Sequence, residues 1–227
     1  MIDFFEHLRQ FDTPTIANAL EIIYGMRVTT GFTTRTLIAA RPNAGSIIGF
    51  ARTATIRCST AFDPAGRREK LMGYYEHLAS APQPTIAVIH DVDSRPGLGA
   101  FWGEVNTNIH WGLGCIGAVT NGSMRDLDAM NVNFQCIAAS LSPSHAWVHV
   151  VDYGGRVDVL GMVVNAGDVV HADRHGAVAF SPALLEKLPA AIELMARREK
   201  VLIDAAKARG FGIEELKIAM GEADKVK

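Results

Sequence analysis

The chain has 227 residues, of which 48% are hydrophobic and 20% are charged, and its formal net charge is -2. These values are typical of a soluble globular protein with a real core, and the length suits one domain over residues 1–227. Because the 22 basic and 24 acidic residues form no long run of either sign, nothing indicates a nucleic-acid ligand.

The cysteines and the first ten residues bear on the compartment. Cys58, Cys115 and Cys136 are odd in number, widely spaced and set in apolar runs, so we expect reduced core thiols and neither a disulfide framework nor a zinc site. Residues 1–10 mix charged with apolar residues, which is typical of neither a signal peptide nor a membrane span. We therefore expect a cytoplasmic protein without a membrane partner.

The first half of the chain predicts alternating helices and strands. Helix starts are indicated by capping side chains that precede a proline, and strands by runs of β-branched residues. Gly49 interrupts one such run, which predicts a bulge or a bend at that point. In chain order the predicted elements are a helix from Asp12-Thr13-Pro14 through Leu20, two strand segments within residues 45–58, a helix that begins at Asp63-Pro64 and ends before Pro82, a strand over 85–90, a helix over 102–113 and a buried strand over 115–120.

The second half of the chain predicts a different pattern. Short strands separated by glycine-containing turns follow one another from residue 134 to residue 180, which indicates antiparallel or mixed β structure. Pro189 can begin a final long helix that reaches Arg209 and stops at Gly210. The whole pattern predicts an α/β layer followed by β structure and a C-terminal helix.

Four familiar binding or catalytic patterns are misplaced or missing. Residues 112–117 match G-x-G-x-x-G, but these glycines close a helix and enter a strand, which is the reverse of a dinucleotide fingerprint. Residues 145 and 149, like 171 and 175, are histidine pairs in predicted strands and turns, where a spacing of four does not bring two imidazoles together, so ordinary hydrogen-bonded histidines are favoured over metal ligands. With no G-x-S-x-G motif and no P-loop, carboxylate and metal chemistry remain.

Residues 120–126 (TNGSMRD) form the most suggestive segment. The pattern predicts a buried strand that ends in a turn at Asn121-Gly122 and presents Arg125 and Asp126 at its carboxyl end, where clefts form in α/β proteins. The alternative is a turn whose two charged side chains are merely solvated, and turn chemistry alone favours it.

Glu104 supplies a second carboxylate. It follows a glycine-rich stretch at residues 96–99, where the backbone can approach a ligand closely, and the N-terminus of the next helix favours an anion. On its own, Glu104 is equally well explained as a first-turn glutamate that the helix dipole stabilises.

Glu199 lies on the apolar stripe of the predicted last helix, because its neighbours three and four residues away are all apolar. A carboxylate in such a place needs a partner. A salt bridge to an arginine, or a stripe edge that reaches water, explains it without any function. The functional alternative is a metal or active site that the helix completes across a subunit interface, and periodicity does not decide between them.

The segment GEVNTNIHWGLGCIGAVTNGSMRD resembles the core motif of the RraA-like family, in which an acidic residue is followed by twenty others and then Arg-Asp, as Glu104 and Arg125 are here. Residues 163–182 (VVNAGDVVHADRHGAVAFSP) and the strand GFARTAT are similar to two further family segments, so the likeness covers most of residues 13–213. The resemblance implies a β/β/α swivelling domain with a C-terminal helix, assembled as a homotrimer or homohexamer with active sites between subunits.

The resemblance to the aldolase branch of that family also implies a chemistry. This branch cleaves 4-hydroxy-4-methyl-2-oxoglutarate and related 2-oxo acids and decarboxylates oxaloacetate, with Mg²⁺ or Mn²⁺. By this resemblance Asp126 binds the metal, Glu104 holds metal-bound water and Arg125 binds the pyruvyl oxygens of the substrate. Glu199 resembles an acidic residue that the C-terminal helix of a neighbouring subunit donates.

Backbone amides complete the implied substrate site. By the same resemblance, the amides around Gly103, Val105 and Asn106 receive the carboxylate of the small 2-oxo acid. The metal and the arginine then stabilise the enolate that forms when the carbon–carbon bond breaks. No Schiff-base lysine is required.

A metal-dependent aldolase/decarboxylase, a lyase that releases pyruvate, is therefore the predicted function. Glu104, Asp126 and Glu199 offer the hard oxygen ligands that Mg²⁺ prefers. The alternative is a non-catalytic regulator of the RraA type, which binds RNase E or another protein partner without chemistry. The side chain of the substrate stays open at this point.

Overall fold

The computed structural model describes residues 2–227, so Met1, the first residue of the predicted domain, lies outside the described residues. Over this range the chain alternates helices and strands and ends in two helices. The helices are α1 (Ile2–Leu8), α2 (Thr13–Tyr24), α3 (Pro64–Ala79), α4 (Glu104–Gly112), α5 (Leu188–Lys207) and α6 (Ile213–Lys225), with a 3-10 helix at Pro182–Lys187. The strands are β1 (Ile38–Ala39), β2 (Ile47–Arg57), β3 (Thr85–Asp91), β4 (Ala100–Trp102), β5 (Cys115–Met124), β6 (Gln135–Leu141), β7 (His149–Tyr153), β8 (Val157–Val159), β9 (Met162–Val164), β10 (Val169–Asp173) and β11 (Gly176–Phe180).

A mixed sheet is the centre of the described part of the chain. Its strand order is β1-β6-β5-β3-β2-β10-β11, with β4 paired to β5 and β7 paired to β2. Strands β2, β3, β5 and β6 run parallel. Helix α3 lies between β2 and β3 in the chain and α4 lies between β3 and β5, so these helices make two of the crossovers that parallel neighbours require. Strand β10 is antiparallel to both β2 and β11, so the second half of the chain has the predicted mixed β structure.

The central strands are buried on both faces, since side chains alternate along a strand and each face of the sheet is covered by an apolar cluster. Ala87 and Ile89 of β3 pack into one apolar cluster with residues of α3, whereas Ile86 and Val88 pack into another on the opposite face, under β8 and β9. A third cluster joins α1, α2 and α5 to β2, β10 and β11. This double burial explains why β3 reads as a continuous apolar run rather than an alternating one.

Local signals fixed several boundaries correctly. Asp12 caps α2, because its side chain accepts a hydrogen bond from the Thr15 amide at 2.9 Å. Helix α3 begins at Pro64 and ends before Pro82, and the strand predicted at residues 85–90 is β3. The thiols of Cys58, Cys115 and Cys136 are free and buried, as expected.

Four predictions about elements were wrong. Helix α1 precedes the helix that was predicted to be the first, and α6 follows the one that was predicted to be the last. Trp102 belongs to β4, so the helix predicted over 102–113 begins only at Glu104. Gly49 does not divide β2; a Cβ at this residue would lie 2.7 Å from the Pro84 carbonyl oxygen, so this glycine permits a close approach of the chain rather than a bend.

The predicted turn at Asn121-Gly122 is also wrong, because β5 continues through both residues to Met124. The Asn121 side chain makes the pair of hydrogen bonds to β3 that a strand backbone would make. It accepts from the Asp91 amide at 2.7 Å and donates to the Asp91 carbonyl at 2.9 Å. The amide of Gly122 donates to Thr120 Oγ1, and the register against β6 shifts between Thr120 and Ser123. The segment is a bulged strand rather than a turn.

A helix that spans a lipid bilayer must combine sufficient length with sufficient apolarity. Among the residues that the structure describes, no helix combines the two well enough to cross a membrane.

Candidate functional site

Arg125 and Asp126 follow β5 directly and are held by backbone contacts. The Arg125 amide donates to the Trp102 carbonyl at 2.9 Å, which ties this segment to β4. Asp126 has a φ of 53°, a left-handed conformation that Asp tolerates better than most residues. Its carbonyl accepts from the amides of Ala129 and Met130 at 2.9 and 3.0 Å, so Asp126 opens a tight turn.

The carboxylate of Asp126 caps a helix from outside that helix. Gly103 is the N-cap residue of α4 and has no side chain to cap it, but Asp126 Oδ2 accepts a hydrogen bond from the Glu104 amide at 3.3 Å. The first amides of a helix have no acceptor within the helix, so those of Val105 and Asn106 are left for water or a ligand. Together with the helix dipole they favour an anion at this point.

Gly103 permits this arrangement because nothing larger fits. A Cβ at Gly103 would lie 2.6 Å from Asp126 Oδ2 and 3.3 Å from Arg125 Cγ. Its φ of -170° is ordinary extended backbone, so contact and not backbone strain selects glycine here. The segment before α4 and the segment after β5 are therefore packed against each other with no space between them.

Arg125 and Asp126 also form an ion pair, with 3.3 Å between Arg125 Nε and Asp126 Oδ2. The side chains are 29% and 34% exposed, so solvent screens the pair and it contributes little to stability. This ion pair and the hydrogen bond from the Glu104 amide are both made by Oδ2 of Asp126. The carboxylates of Asp126 and Glu104, which line the same cavity, are hard oxygen donors of the kind that fits Mg²⁺ or Mn²⁺.

One cavity of about 320 Å³ brings the predicted residues together. Its size lies at the lower end of the range for small-ligand sites. Arg125, Asp126 and the N-terminus of α4 meet in this cavity, although β5 continues where a turn was expected to present the two charged residues. The predicted site residues that line it are Gly103, Glu104, Val105, Asn106, Arg125 and Asp126.

The remaining lining residues were missed from the sequence. Arg67, Leu71 and Tyr75 come from one face of α3, and their spacing of four residues was a signal that periodicity could have found. His145 and His149, which were expected to be ordinary hydrogen-bonded histidines, also line the cavity. The other lining residues are Phe101, Ile109 and Val148.

Asn106 is held in a fixed orientation within this cavity. Its Nδ2 donates to the Phe101 carbonyl, and its Oδ1 accepts from the Tyr75 hydroxyl at 3.0 Å. Burial raises the pKa of Tyr75, so the phenol stays protonated and remains a donor.

His110 supports Asn106 from the core. Its Nδ1 lies 2.6 Å from the Asn106 carbonyl, which only accepts, so Nδ1 carries the proton and Nε2 accepts from the Tyr74 hydroxyl at 2.9 Å. Burial lowers the pKa of His110 to about 4. The imidazole is therefore neutral near pH 7 and serves as a structural hydrogen-bonding group under α4.

Glu199 lies elsewhere on the same chain. It is an exposed residue of α5 that lines a cleft against α2, with Glu21, Arg27 and Arg198 among its neighbours. Of the apolar residues around it, Met195 is buried whereas Ile203 is 47% exposed, so the apolar stripe leaves the core at this level. Within one chain, Glu199 does not line the cavity that contains Asp126.

A second group of possible metal ligands does not line this cavity: ligand atoms of Cys58, Asp91 and Asp93 come within 4.8 Å of one another. Their atoms already have protein partners: Asp91 Oδ2 accepts from the Gly97 amide, and Asp93 Oδ2 accepts from the amides of Cys58 and Ser59. Burial raises the pKa of Cys58 to about 12, which keeps the thiol protonated at neutral pH. This group holds the loop after β3 in place and is a poorer metal site than the carboxylates of the cavity.

The comparisons with known proteins identify a family. A family model described as RraA-like (Aldolase/RraA) matches residues 13–179, which is most of the chain. No curated protein matches the chain in sequence.

Solved structures with the same fold are distant in sequence. An uncharacterized protein from Pseudomonas syringae pv. tomato str. DC3000 is 17% identical, with a TM-score of 0.72 over 96% of this chain and 94% of that one. RraAS2 from Streptomyces coelicolor, described as an unusual member of the RNase ES inhibitor RraA protein family, is 18% identical, with a TM-score of 0.67 over 91% and 96%. The RNA-processing inhibitor RraA from Thermus thermophilis is 18% identical, with a TM-score of 0.52 over 72% and 91%. At identities this low the comparisons show only a shared fold. The structural similarity confirms the predicted β/β/α swivelling fold with its C-terminal helix.

Proposed function

The chain belongs to the RraA-like (Aldolase/RraA) family, and from this premise we propose that it is a divalent-metal-dependent carbon–carbon lyase. Its substrate is a small 4-hydroxy-2-oxo acid or oxaloacetate, and its product is pyruvate. The observation that carries the proposal is the meeting of Glu104, Arg125 and Asp126 in one cavity at the N-terminus of α4. A family that contains aldolases and a site with hard oxygen donors support the same chemistry.

The residues of the cavity have separate roles in this proposal. Asp126 and Glu104 hold Mg²⁺ or Mn²⁺, which polarises the 2-oxo group when it is bound. Arg125 binds the pyruvyl oxygens and balances the negative charge that develops on the enolate. The amides around Gly103, Val105 and Asn106 receive the substrate carboxylate.

Glu104 has a further role with water. It orients the water molecule that returns a proton to the enolate carbon, since Glu104 is exposed to solvent and lines the cavity. Nothing in this scheme needs a covalent bond between protein and substrate.

Glu199 enters the proposal through a second copy of the chain. It is exposed on its own chain and lines a different cleft, which is the arrangement that a donated residue has before assembly. We propose a homotrimer or homohexamer in which Glu199 of one copy completes the carboxylate set of the next. A cytoplasmic location, with no nucleic-acid or membrane partner, belongs to the same proposal.

The test is pyruvate release from oxaloacetate and from 4-hydroxy-4-methyl-2-oxoglutarate, each with Mg²⁺ and with EDTA. Asp126→Asn removes the proposed metal ligand, and Asp128→Asn is the matched control because Asp128 is exposed two residues away and does not line the cavity. Metal-dependent release that is lost only in Asp126→Asn supports the lyase. Release that survives in Asp126→Asn contradicts the assignment of the site.

One alternative has an observation in its favour. The similarity to RraAS2, a member of an RNase ES inhibitor family, extends over 91% of this chain. A non-catalytic regulator that binds RNase E or another protein partner would leave both acids unchanged and would bind the nuclease in a pull-down with purified RNase E. The lyase proposal predicts turnover of at least one acid and no need for that partner.

A further inference from the structure

The cavity has a part that the proposed chemistry does not use. The metal ligands, Arg125 and the helix amides suffice for a three-carbon pyruvyl unit. Leu71 and Tyr75 of α3, with Ile109 of α4 and Val148, add an apolar wall to the same cavity. A substrate as small as oxaloacetate leaves that wall without a partner.

The wall is preformed by packing. Leu71 and Tyr75 are half-buried and rest on a core cluster that includes Phe101 and Val148. The Tyr75 hydroxyl is already bonded to Asn106, so its ring is the part left to meet a ligand. Close-packed neighbours fix the shape of this surface before any substrate arrives.

An aromatic cluster lies beside two of the residues that line the cavity, Arg67 and His149. The Phe62 ring lies 5.7 Å from the Trp147 ring and 5.5 Å from the His149 ring, both edge to face. The Arg67 guanidinium lies 4.6 Å from the centroid of the Phe62 ring, so this cation is already partnered by an aromatic face. An aromatic ring on the substrate would extend this group of rings.

We infer that the cavity selects 2-oxo acids that carry an aromatic or branched apolar group on C4, with Leu71, Tyr75 and Ile109 as the specificity-determining residues. This inference rests on the proposed function, since the pyruvyl end must bind at Arg125 and Asp126. Extra apolar contact with a fixed pocket changes kcat/KM by about tenfold or more.

The proposed cleavage is balanced without any redox partner. In 4-hydroxy-4-phenyl-2-oxobutanoate the C3–C4 bond breaks, and the C4 hydroxyl loses its proton and becomes the carbonyl of benzaldehyde. The bonding electron pair passes to C3 as the enolate of pyruvate, and one proton returns to C3. The products are pyruvate and benzaldehyde.

The experiment measures kcat/KM with Mg²⁺ for the phenyl compound, for 4-hydroxy-2-oxopentanoate, in which a methyl group replaces the ring, and for 4-hydroxy-4-methyl-2-oxoglutarate. We expect the phenyl compound to exceed the pentanoate by about tenfold or more, and to exceed the oxoglutarate as well. Leu71→Ala and Ile109→Ala each lower the ratio of phenyl to methyl several-fold. Met72→Ala, an exposed residue of the same helix outside the cavity, leaves the ratio unchanged.

Oxaloacetate separates the possible failures. If it releases pyruvate with Mg²⁺ but the phenyl compound is not preferred, the apolar wall does not select the substrate and the lyase proposal stands. If Leu71→Ala and Met72→Ala change the ratio equally, the wall is wrongly assigned. If none of the four acids is turned over, both proposals fail.

Discussion

Asp126 caps a helix that begins 22 residues before it in the chain, since its Oδ2 accepts the amide hydrogen of Glu104 at 3.3 Å. One carboxylate thus takes part in the fold and in the candidate site. The two parts can be separated experimentally, because Asn is nearly as good a helix cap as Asp and also tolerates the left-handed conformation.

Asp126→Asn should fold and fail to act. We expect its free energy of unfolding to stay within about 0.5 kcal/mol of the wild type, because the cap and the turn are retained. Mg²⁺-dependent pyruvate release should fall to the background level, because an amide is a weak ligand for the metal. Asp126→Ala should lose about 1 kcal/mol in addition, as seen by urea unfolding, and equal stability of the two variants would contradict the capping role.

Gly103→Ala should disturb both segments of the site. The added Cβ would meet Asp126 Oδ2 at 2.6 Å, so one segment must shift, at a cost of about 1–3 kcal/mol. Gly112→Ala, at the other end of α4, is the control because its Cβ would meet nothing within 4 Å. The midpoint temperature of unfolding and the rate of pyruvate release should both fall in Gly103→Ala and should both be preserved in Gly112→Ala. A Gly103→Ala variant that keeps both values would show that Asp126 is not held against Gly103.

Glu199→Gln should lower activity without lowering stability, because the side chain is exposed on its own chain. The sharper test is complementation between two inactive variants. If Glu199 acts in the site of a neighbouring copy, a mixture of Asp126→Asn and Glu199→Gln chains, dissociated and reassembled, should recover up to about a quarter of wild-type activity. Glu193→Gln, on the same helix, is the control and should keep wild-type activity. A mixture that recovers no activity would show that Glu199 does not act in the site of a neighbouring copy.

His110 should make the fold sensitive to acid. Its pKa is about 4 in the folded chain, against 6.5 for a free histidine, because burial opposes the charged form. The folded state therefore binds fewer protons than the unfolded state between these values, so the stabilisation is complete above pH 6.5 and is lost as pH falls towards 4. The loss should be on the order of 1–3 kcal/mol.

The measurement is urea unfolding of wild type and His110→Gln from pH 7 to pH 4. Gln keeps hydrogen-bonding groups and does not titrate, so the variant should have a shallower pH dependence. His171, whose pKa burial also lowers to about 4, keeps part of the slope in both proteins. Identical slopes would show that His110 is not buried in the neutral form.

The sequence predicted those parts of the fold that depend on neighbours along the chain. The cap at Asp12 and the proline at residue 64 fixed two helix starts. The turn at Asn121-Gly122 failed because the partner of Asn121 is Asp91, thirty residues away on another strand. Turn propensity contains no information about such a partner.

The candidate site divides in the same way. Arg125, Asp126 and Glu104 could be found because they belong to one motif, and the cavity brings them together. Leu71 and Tyr75 share a helix face that their spacing reveals, but only the fold places that face against the cavity. Glu199 lines a different cleft of its own chain, so the role proposed for it depends on a second copy of the chain.

The continuation of β5 to Met124 has a thermodynamic consequence. Arg125 follows a strand that is paired on both sides, and its own amide is bonded to Trp102, so the backbone at the site is ordered before a ligand binds. Little conformational entropy is then left to lose on binding. Amide hydrogen exchange over residues 120–125 should be slow in the free protein and change little when a 2-oxo acid is added.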